Sequence, residues 1–356
     1  MKKRLNRIRL IDIAEKTHLS VNTISKVLNG REKEAGIAVE TAKRVRKMAD
    51  ELGYIPDQMA RCLRAKNTDT IGVYIDKITD HVRAETLHAI LQELSNRGLF
   101  PLIMLAEAGY EKCCEAFIRN RIEGLILCGT MQAMNADFFN RLYENKIKTV
   151  ITGCFFHDRN LNNVFREVSF VNVDNERGVE LQIRHLHEQG RSRIAFLSGP
   201  THDSDMHIRK KTYMDLIKTV HEPVVGQIDK DTSYLEHGYW SMDMLLAGRQ
   251  EIDAVIAFDD KVALGAIRCL HDKGRNVPGD VAVIGFDNSP EDDYTLPRLS
   301  SISLPTQEIG TKSVELLLDR LENKTKPKTI YVLPSLVARE STQPSAGKPQ
   351  KGNPPD

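Results

Sequence analysis

Apolar residues recur along this chain in two different rhythms. Over the first fifty residues the spacing is helical: Leu10, Ile13 and Ala14 stand at i, i+3 and i+4, and Ile24, Val27 and Leu28 repeat the pattern. Two short amphipathic helices are predicted. Thr17-His18-Leu19 between them is too short for anything but a sharp turn, and Leu19 can plug the corner. Ser20 suits the N-cap of the second helix, because its hydroxyl can accept from a backbone N–H two or three residues on. A third helix is predicted over 39–52, with Ala42, Val45, Met48, Ala49 and Leu52 on one face and Lys43, Arg44, Arg46 and Lys47 elsewhere.

From Thr70 the rhythm changes to short apolar runs alternating with amphipathic helices. IGVYI, FPLIML, GLILC and TVITG form one series, with helices over about 83–97, 111–120 and 136–145. A second series begins at FVNV and continues through IAFLSG, VVGQI, AVIAF and VAVIGF, with helices over about 176–189, 208–219, 237–247 and 261–273. Short apolar strands joined by helices imply parallel sheets covered on both faces. Two such sheets predict a cleft between them. The expected architecture is multidomain: an all-α helix-turn-helix head and a two-lobed α/β core of Rossmann-like parallel sheets.

Charge sharpens this division. Residues 1–66 hold 16 Lys+Arg against 8 Asp+Glu, whereas the remainder holds 34 against 41, so the overall net charge of +1 hides a basic head on a mildly acidic body. That distribution fits a head held on polyanionic phosphate and a body kept off it. If Ile24, Val27 and Leu28 face inward, Val21, Asn22 and Lys26 project from the opposite side of the second helix. Asn can pair with adenine, Lys can donate to guanine and Val can contact a thymine methyl. Thr23, Ser25 and Asn29 are short donors suited to phosphate. The turn pattern alone also admits a plain solvated helix.

After Tyr54, Pro56 ends the preceding helix and Asp57 is placed to start another, of only about two turns. Isolated helices this short are marginal in water, so this one needs outside support to form.

The pattern IxDIAxxxxLSxxTISKVLN, followed by ETxxRV and by ELGYIPDQMARCLRAKNTDTIGV, resembles the LacI family of bacterial transcription regulators, and the similarity runs from about residue 9 to about 342. Val21, Asn22 and Lys26 align with the family's base-reading positions. The resemblance makes 56–64 a hinge helix that pairs with its symmetry mate in the minor groove, with Leu63 as the apolar wedge between base steps. It implies a periplasmic-binding-protein-like core whose chain crosses between lobes near Val173, Ser303 and Tyr331. The domains expected are 1–55, 56–69 (hinge and linker), 70–173 with 303–330, 174–302 with 331–342, and a disordered tail over 343–356. Three departures from the family pattern lie in the head: Arg9 stands at the usual Thr N-cap, His18 at the Gly of the turn, and Ala38 at the Ser N-cap of the third helix. The loop from Gly30 to Ile37 is also longer than usual.

Three residues match the family's effector-binding positions: Arg209, Asp259 at the end of AVIAF, and Asp287 at the end of VAVIGF. Carboxylates and a guanidinium fork suit vicinal sugar hydroxyls. Asp259 and Asp287 have a second reading as caps of the segments that follow them, and Arg209 as an inter-lobe ion pair. The loop after the first core strand carries Asp80, His81, Val82 and Arg83; Arg83, at a usually aromatic place, suggests an acidic or unusually polar ligand unless it faces solvent.

Other chemistry is scarce. There is no Walker loop, GxGxxG turn, HExxH or GxSxG elbow, and Asp259-Asp260 lacks the Lys, His or metal ligands that would make an active site, so neither enzyme nor cofactor is expected. His185 and His187, at i and i+2, face different ways and do not suggest a metal site. Trp240, with Met244 four residues on, reads as core or interface packing. The six cysteines show no CxxC spacing and read as free thiols in a reducing compartment. No run approaches the roughly 18 apolar residues of a membrane span, so a cytoplasmic protein is expected. The tail lacks heptads, which favours a homodimer over a tetramer. Together these features predict a homodimeric regulator on palindromic DNA, controlled by a sugar-like small molecule; a protein corepressor, or a solute-binding or carbohydrate-acting protein on the same core, are the alternatives.

Overall fold

A computed structural model describes residues 8–54, 68–129, 136–153, 165–199, 204–228, 232–248, 251–323 and 325–343. The expected hinge helix with Leu63, and the tail beyond 343, lie outside the described residues. The chain divides into two units, 1–68 and 69–356.

The first unit contains the three predicted helices, α1 (Leu10–Thr17), α2 (Val21–Leu28) and α3 (Val39–Glu51). They close on a small core of Ile13, Ala14, Ile24, Val27, Ala42, Val45 and Ala49. The departures noted above are accommodated locally. Arg9 offers no side-chain cap, but Asp12 reaches back to accept from the Arg9 backbone N–H at 2.6 Å, which holds the start of α1 from within the helix. His18 takes the left-handed conformation (φ 57°) and its N–H donates to the Ala14 carbonyl, so the turn forms without glycine. Arg44 of α3 donates to the Thr17 carbonyl at 3.2 Å, satisfying an open carbonyl at the end of α1. Ala38 supplies no side-chain cap to α3. The long loop is held by an ion pair between Glu32 and Arg46.

The second unit is built on two six-stranded sheets. In the first, β1 (Thr70–Ile75), β2 (Phe100–Leu105), β3 (Gly124–Cys128), β4 (Lys148–Thr152), β5 (Val168–Val173) and β11 (Thr329–Val332) run in the order β11-β5-β4-β3-β1-β2, all parallel. One face is covered by α5 (Tyr110–Arg119) and α6 (Ala136–Glu144) through Phe117, Phe138 and Leu142; the other by α4 (His81–Asn96) and α11 (Thr306–Glu322) through Ile90, Leu94 and Leu317. The second sheet has the order β12-β10-β9-β8-β6-β7, formed by β6 (Ile194–Leu197), β7 (Val224–Gly226), β8 (Ala254–Ala257), β9 (Ala282–Asp287), β10 (Ser300–Ser303) and β12 (Ser335–Val337). Its helices are α7 (Asn175–Glu188), α8 (Ser204–Ile217), α9 (Tyr234–Ala247) and α10 (Asp260–Asp272).

Four expectations need correction. FVNV does not open the second sheet: Val168–Val173 lies between β4 and β11 in the first, where it completes that lobe's burial. The second sheet is not wholly parallel, because β12 returns antiparallel to β10. Tyr331 pairs with Asn172, so the chain is still in the first sheet there and crosses only after Val332. Of the two readings of Trp240, core packing falls: the residue is half exposed and packs edge-to-face on Tyr239.

The last described residues are woven into the second lobe. Ser341 Oγ donates to the Val283 carbonyl at 2.6 Å and accepts from Ser300 N–H at 2.8 Å, while Val283 N–H donates to the Ser341 carbonyl at 2.9 Å. Thr342 Oγ1 is 2.7 Å from both Ser300 Oγ and His185 Nε2. Both residues are fully buried. Cys113, Cys114, Cys128 and Cys269 are buried free thiols, and no helix among the described residues is long and apolar enough to cross a membrane.

Candidate nucleic-acid interface and effector cavity

On the head, α2 turns Ile24 and Val27 inward, and this leaves Val21, Asn22 and Lys26 exposed on the far side. Ser20 caps the helix: its hydroxyl accepts from Thr23 N–H at 3.0 Å and lies 2.8 Å from Thr23 Oγ1. Ser25 departs from expectation. It is buried, and the Asn29 amide donates to its carbonyl at 2.7 Å and its hydroxyl at 3.3 Å, so Asn29 folds back over Ser25 and the two engage each other. The outward set is therefore Val21, Asn22 and Lys26, with Ser20 and Thr23 at the helix start and Asn29 exposed at its end.

In the core, the carboxyl ends of the parallel strands of both sheets face a cavity of about 220 Å³. Parallel sheets place ligands there because the loops leaving the strands converge. From the first lobe come Asp76 just after β1, Asp80 at the N-cap of α4, Arg83 in its first turn and Thr152 at the end of β4. From the second come Arg209 on α8, Phe258 and Asp259 after β8, and Asp287 at the end of β9. Lys261 of α10 reaches across to Asp80 at 4.0 Å. His81 is not on this wall. Its ring lies 3.7 Å from Glu85 on the same helix, because Asp80 caps α4 through Arg83 N–H and so starts the helix at His81.

Arg209 is the hub of the second-lobe wall. It is buried, donates to Asn175 Oδ1 at 2.8 Å and to the Phe258 carbonyl at 2.7 Å, and has its guanidinium carbon 3.5 Å from the centre of the Phe286 ring. Nη1 stands 3.9 Å from Asp287 Oδ1. Asn175 passes the order on, donating to Asp205 at 3.0 Å. Asp259 caps α10 by accepting from Val262 N–H at 2.7 Å and also lines the cavity. Burial pushes its carboxyl up to about 7, against the pull of that N–H. Burial likewise raises Asp287 well above the ordinary carboxylate range, with Arg209 opposing.

Asp287 is held in a costly conformation. Its φ is 113° and that of Asn288 is 57°, values an L side chain rarely adopts. The loop is overdetermined from below: Asn288 N–H donates to Ser301 Oγ (3.0 Å) and Ser289 N–H to buried Asp260 (2.8 Å), which also accepts from Ser301 Oγ (2.6 Å). Arg339 adds a three-way fork, donating to Asn288 Oδ1, Asp293 Oδ1 and the Leu299 carbonyl at 2.7–2.8 Å. Burial, reinforced by the Asp260 charge, lifts the Asp292 carboxyl beneath this loop to about 9.

Sequence reasoning missed Asp76, Thr152, Asn175, Asp205 and Lys261. Each follows or ends an apolar strand or begins the helix after one, and that position was the available signal.

A helix-turn-helix head joined to a two-lobed core with a polar cavity at its strand ends defines a ligand-responsive DNA-binding regulator. Residues 9–57 match the model of the bacterial regulatory proteins of the lacI family, and residues 183–342 match the periplasmic binding protein-like domain. The chain belongs to the LacI family. It is 28% identical over 334 residues to the HTH-type transcriptional regulator CelR of Thermobifida fusca, covering 90% of this chain and 94% of the relative. It is also 27% identical to the transcriptional repressor PurR of Vibrio atlanticus, over 93% and 98% of the two chains. Among solved structures, a lac repressor dimer bound to operator and an anti-inducer superposes with a TM-score of 0.78 at 22% identity, covering 95% of this chain and 99% of that one. A CelR–cellobiose complex gives 0.66 at 25% identity, covering 94% and 100%.

Proposed function

We propose that this protein is a transcription repressor that binds palindromic operator DNA as a homodimer and is controlled by a sugar-like effector in the core cavity. The observation that carries the reading is the pairing, in one chain, of an exposed Val21/Asn22/Lys26 surface on α2 with a cavity lined by Arg209, Asp259 and Asp287. Asn22 and Lys26 read base edges and Val21 contacts a thymine methyl; Ser20 and Thr23 contact phosphate; Leu63 wedges a base step. The dimer reading is supported by edge strand β2, which exposes Phe100 on one face and Ile103 and Leu105 on the other. The related CelR binds cellobiose and the lac repressor binds operator as a dimer, and the same division of labour is assigned to this chain. Effector and operator affinities are coupled by about 1–3 kcal/mol, enough to release or restore operator binding.

Fluorescence anisotropy on a selected palindromic operator tests the DNA half. Binding weakens steeply with salt, and Lys26→Ala costs about 1–3 kcal/mol of affinity without lowering the thermal midpoint, because Lys26 is exposed. Leu63→Ala costs a comparable amount. Operator affinity untouched by both substitutions would defeat the assignment.

A further inference from the structure

The charges on the cavity wall are unevenly paired, and the imbalance names a ligand class. Arg83, which in sequence suggested an acidic ligand, is already engaged by two carboxylates of its own lobe: its Nε is 2.9 Å from Asp76 and its Nη1 3.5 Å from Asp80. Lys261 faces Asp80 from the opposite lobe at 4.0 Å. Arg209 has two N–H groups committed to Asn175 and the Phe258 carbonyl and faces Asp287 at 3.9 Å. Lys77, the other cation on the wall, is exposed, where a charge contributes little. Among the described residues, an entering carboxylate or phosphate therefore meets no buried cation that a carboxylate does not already oppose.

Asp259 is the opposite case. It is 7% exposed and lines the cavity, and one oxygen is spent on Val262 N–H. Among the described residues, no Lys, Arg or His nitrogen stands within 4.0 Å of it. Lys261 and Arg209 act on it only from beyond 4.0 Å and do not outweigh its burial, and a buried carboxylate without a contacting cation must hold a proton or be given a partner. On the facing lobe, Thr152 adds a fully buried hydroxyl with no hydrogen-bond partner among the described residues, so the cavity also has an acceptor or donor ready for a ligand hydroxyl.

We propose that the effector is a hydroxyl-rich small molecule bearing a protonated amine, of which a hexosamine is the simplest form, with its ammonium seated on Asp259. This rests on the cavity being the effector site. An ammonium supplies the contacting positive charge that Asp259 lacks among the described residues, while its ring hydroxyls take the Arg209–Asp287 pair and Thr152.

Isothermal titration and thermal shift with glucose, glucosamine, N-acetylglucosamine and glucuronate, repeated with the galacto and manno series, test the assignment. Within the series that fits, the free amine binds about tenfold or more tightly than the neutral and N-acetylated sugars, and the acid does not bind. Asp259→Asn brings the amine level with the neutral sugar. The variant keeps its fold because Asn caps a helix as well as Asp, and its ligand-free thermal midpoint verifies this. The inference is overturned if a neutral or acidic member binds as tightly as the amine, or if the amine preference survives Asp259→Asn. If no sugar of any series binds, the sugar-effector reading itself falls, and the inference with it.

Discussion

The head and the second lobe of the core place their working residues in opposite ways. On α2, Asn22 and Lys26 stand in water, and the small core beneath them is apolar apart from the buried hydroxyls of Thr17 and Ser25 and carries no buried charge among the described residues. In the second lobe, Arg209, Asp259 and Asp260 are buried, and Asp287 is held at a φ of 113°. A DNA reader meets its partner on an open surface, so its side chains can wait solvated at no cost to folding. A sensor that encloses its ligand must desolvate its polar groups beforehand and hold them with a lattice of internal partners. Recognition in the head is therefore separable from stability, and in the second lobe it is not.

Removing Arg209 gives the largest break in this contrast. Arg209→Ala strips Asp287 and Asn175 of their buried partner and costs the core about 3–5 kcal/mol, together with effector binding. Trp240, the only tryptophan, lies on α9 in the same lobe, so urea unfolding followed by its fluorescence reads the loss directly. A decrease within 1 kcal/mol would place Arg209 among the separable residues instead.

Stability against pH sharpens the comparison. Asp259 titrates near 3.8 when unfolded and at about 7 in the folded core, raised by burial. The folded state thus holds a proton the unfolded chain has released, and the core loses stability as pH rises between about 4 and 7. In Asp259→Asn this part of the decline disappears, and the urea midpoint of the variant gains on the wild type from pH 5 to pH 8. Equal slopes for the two proteins would show Asp259 to be ionised in the folded state.

The smallest effect belongs to the head. Arg9→Thr supplies the side-chain cap that α1 lacks and adds about 0.5–1 kcal/mol, seen as slower amide exchange over 10–28. No change would mean that the Asp12 contact already satisfies the first turn.

The same contrast governs how much could be read from the sequence. The helices of the head follow from a 3.6-residue apolar spacing, and exposure of Val21, Asn22 and Lys26 follows from which face is apolar; only the fold-back of Asn29 onto Ser25 was hidden, because it depends on a side-chain rotamer. Alternation of strands and helices gave the parallel α/β core. The short β12 gave no sign of its direction, and β5 reads like the start of any lobe, since sheet order is not encoded in a strand's own residues. At the cavity, Asp287 and Arg209 were found by family pattern. Asp76 and Asp205 were missed because a single acid after an apolar run looks like any helix cap until the sheets bring the strand ends together. His81 was misplaced for a related reason: Asp80 begins α4 two residues early and turns the ring toward Glu85.

The anchoring of Arg339, Ser341 and Thr342 beneath the Asp287 loop also sets an order of events at the ribosome. The three helices of the head are complete by residue 51, whereas the second lobe cannot lock its ligand loop until residue 342 has emerged. At ordinary translation speeds that interval is on the order of tens of seconds. Throughout it, each nascent chain carries the three head helices and an unfinished ligand loop. A premature stop between codons 324 and 338 leaves those helices in place and removes the Arg339, Ser341 and Thr342 anchors of the loop.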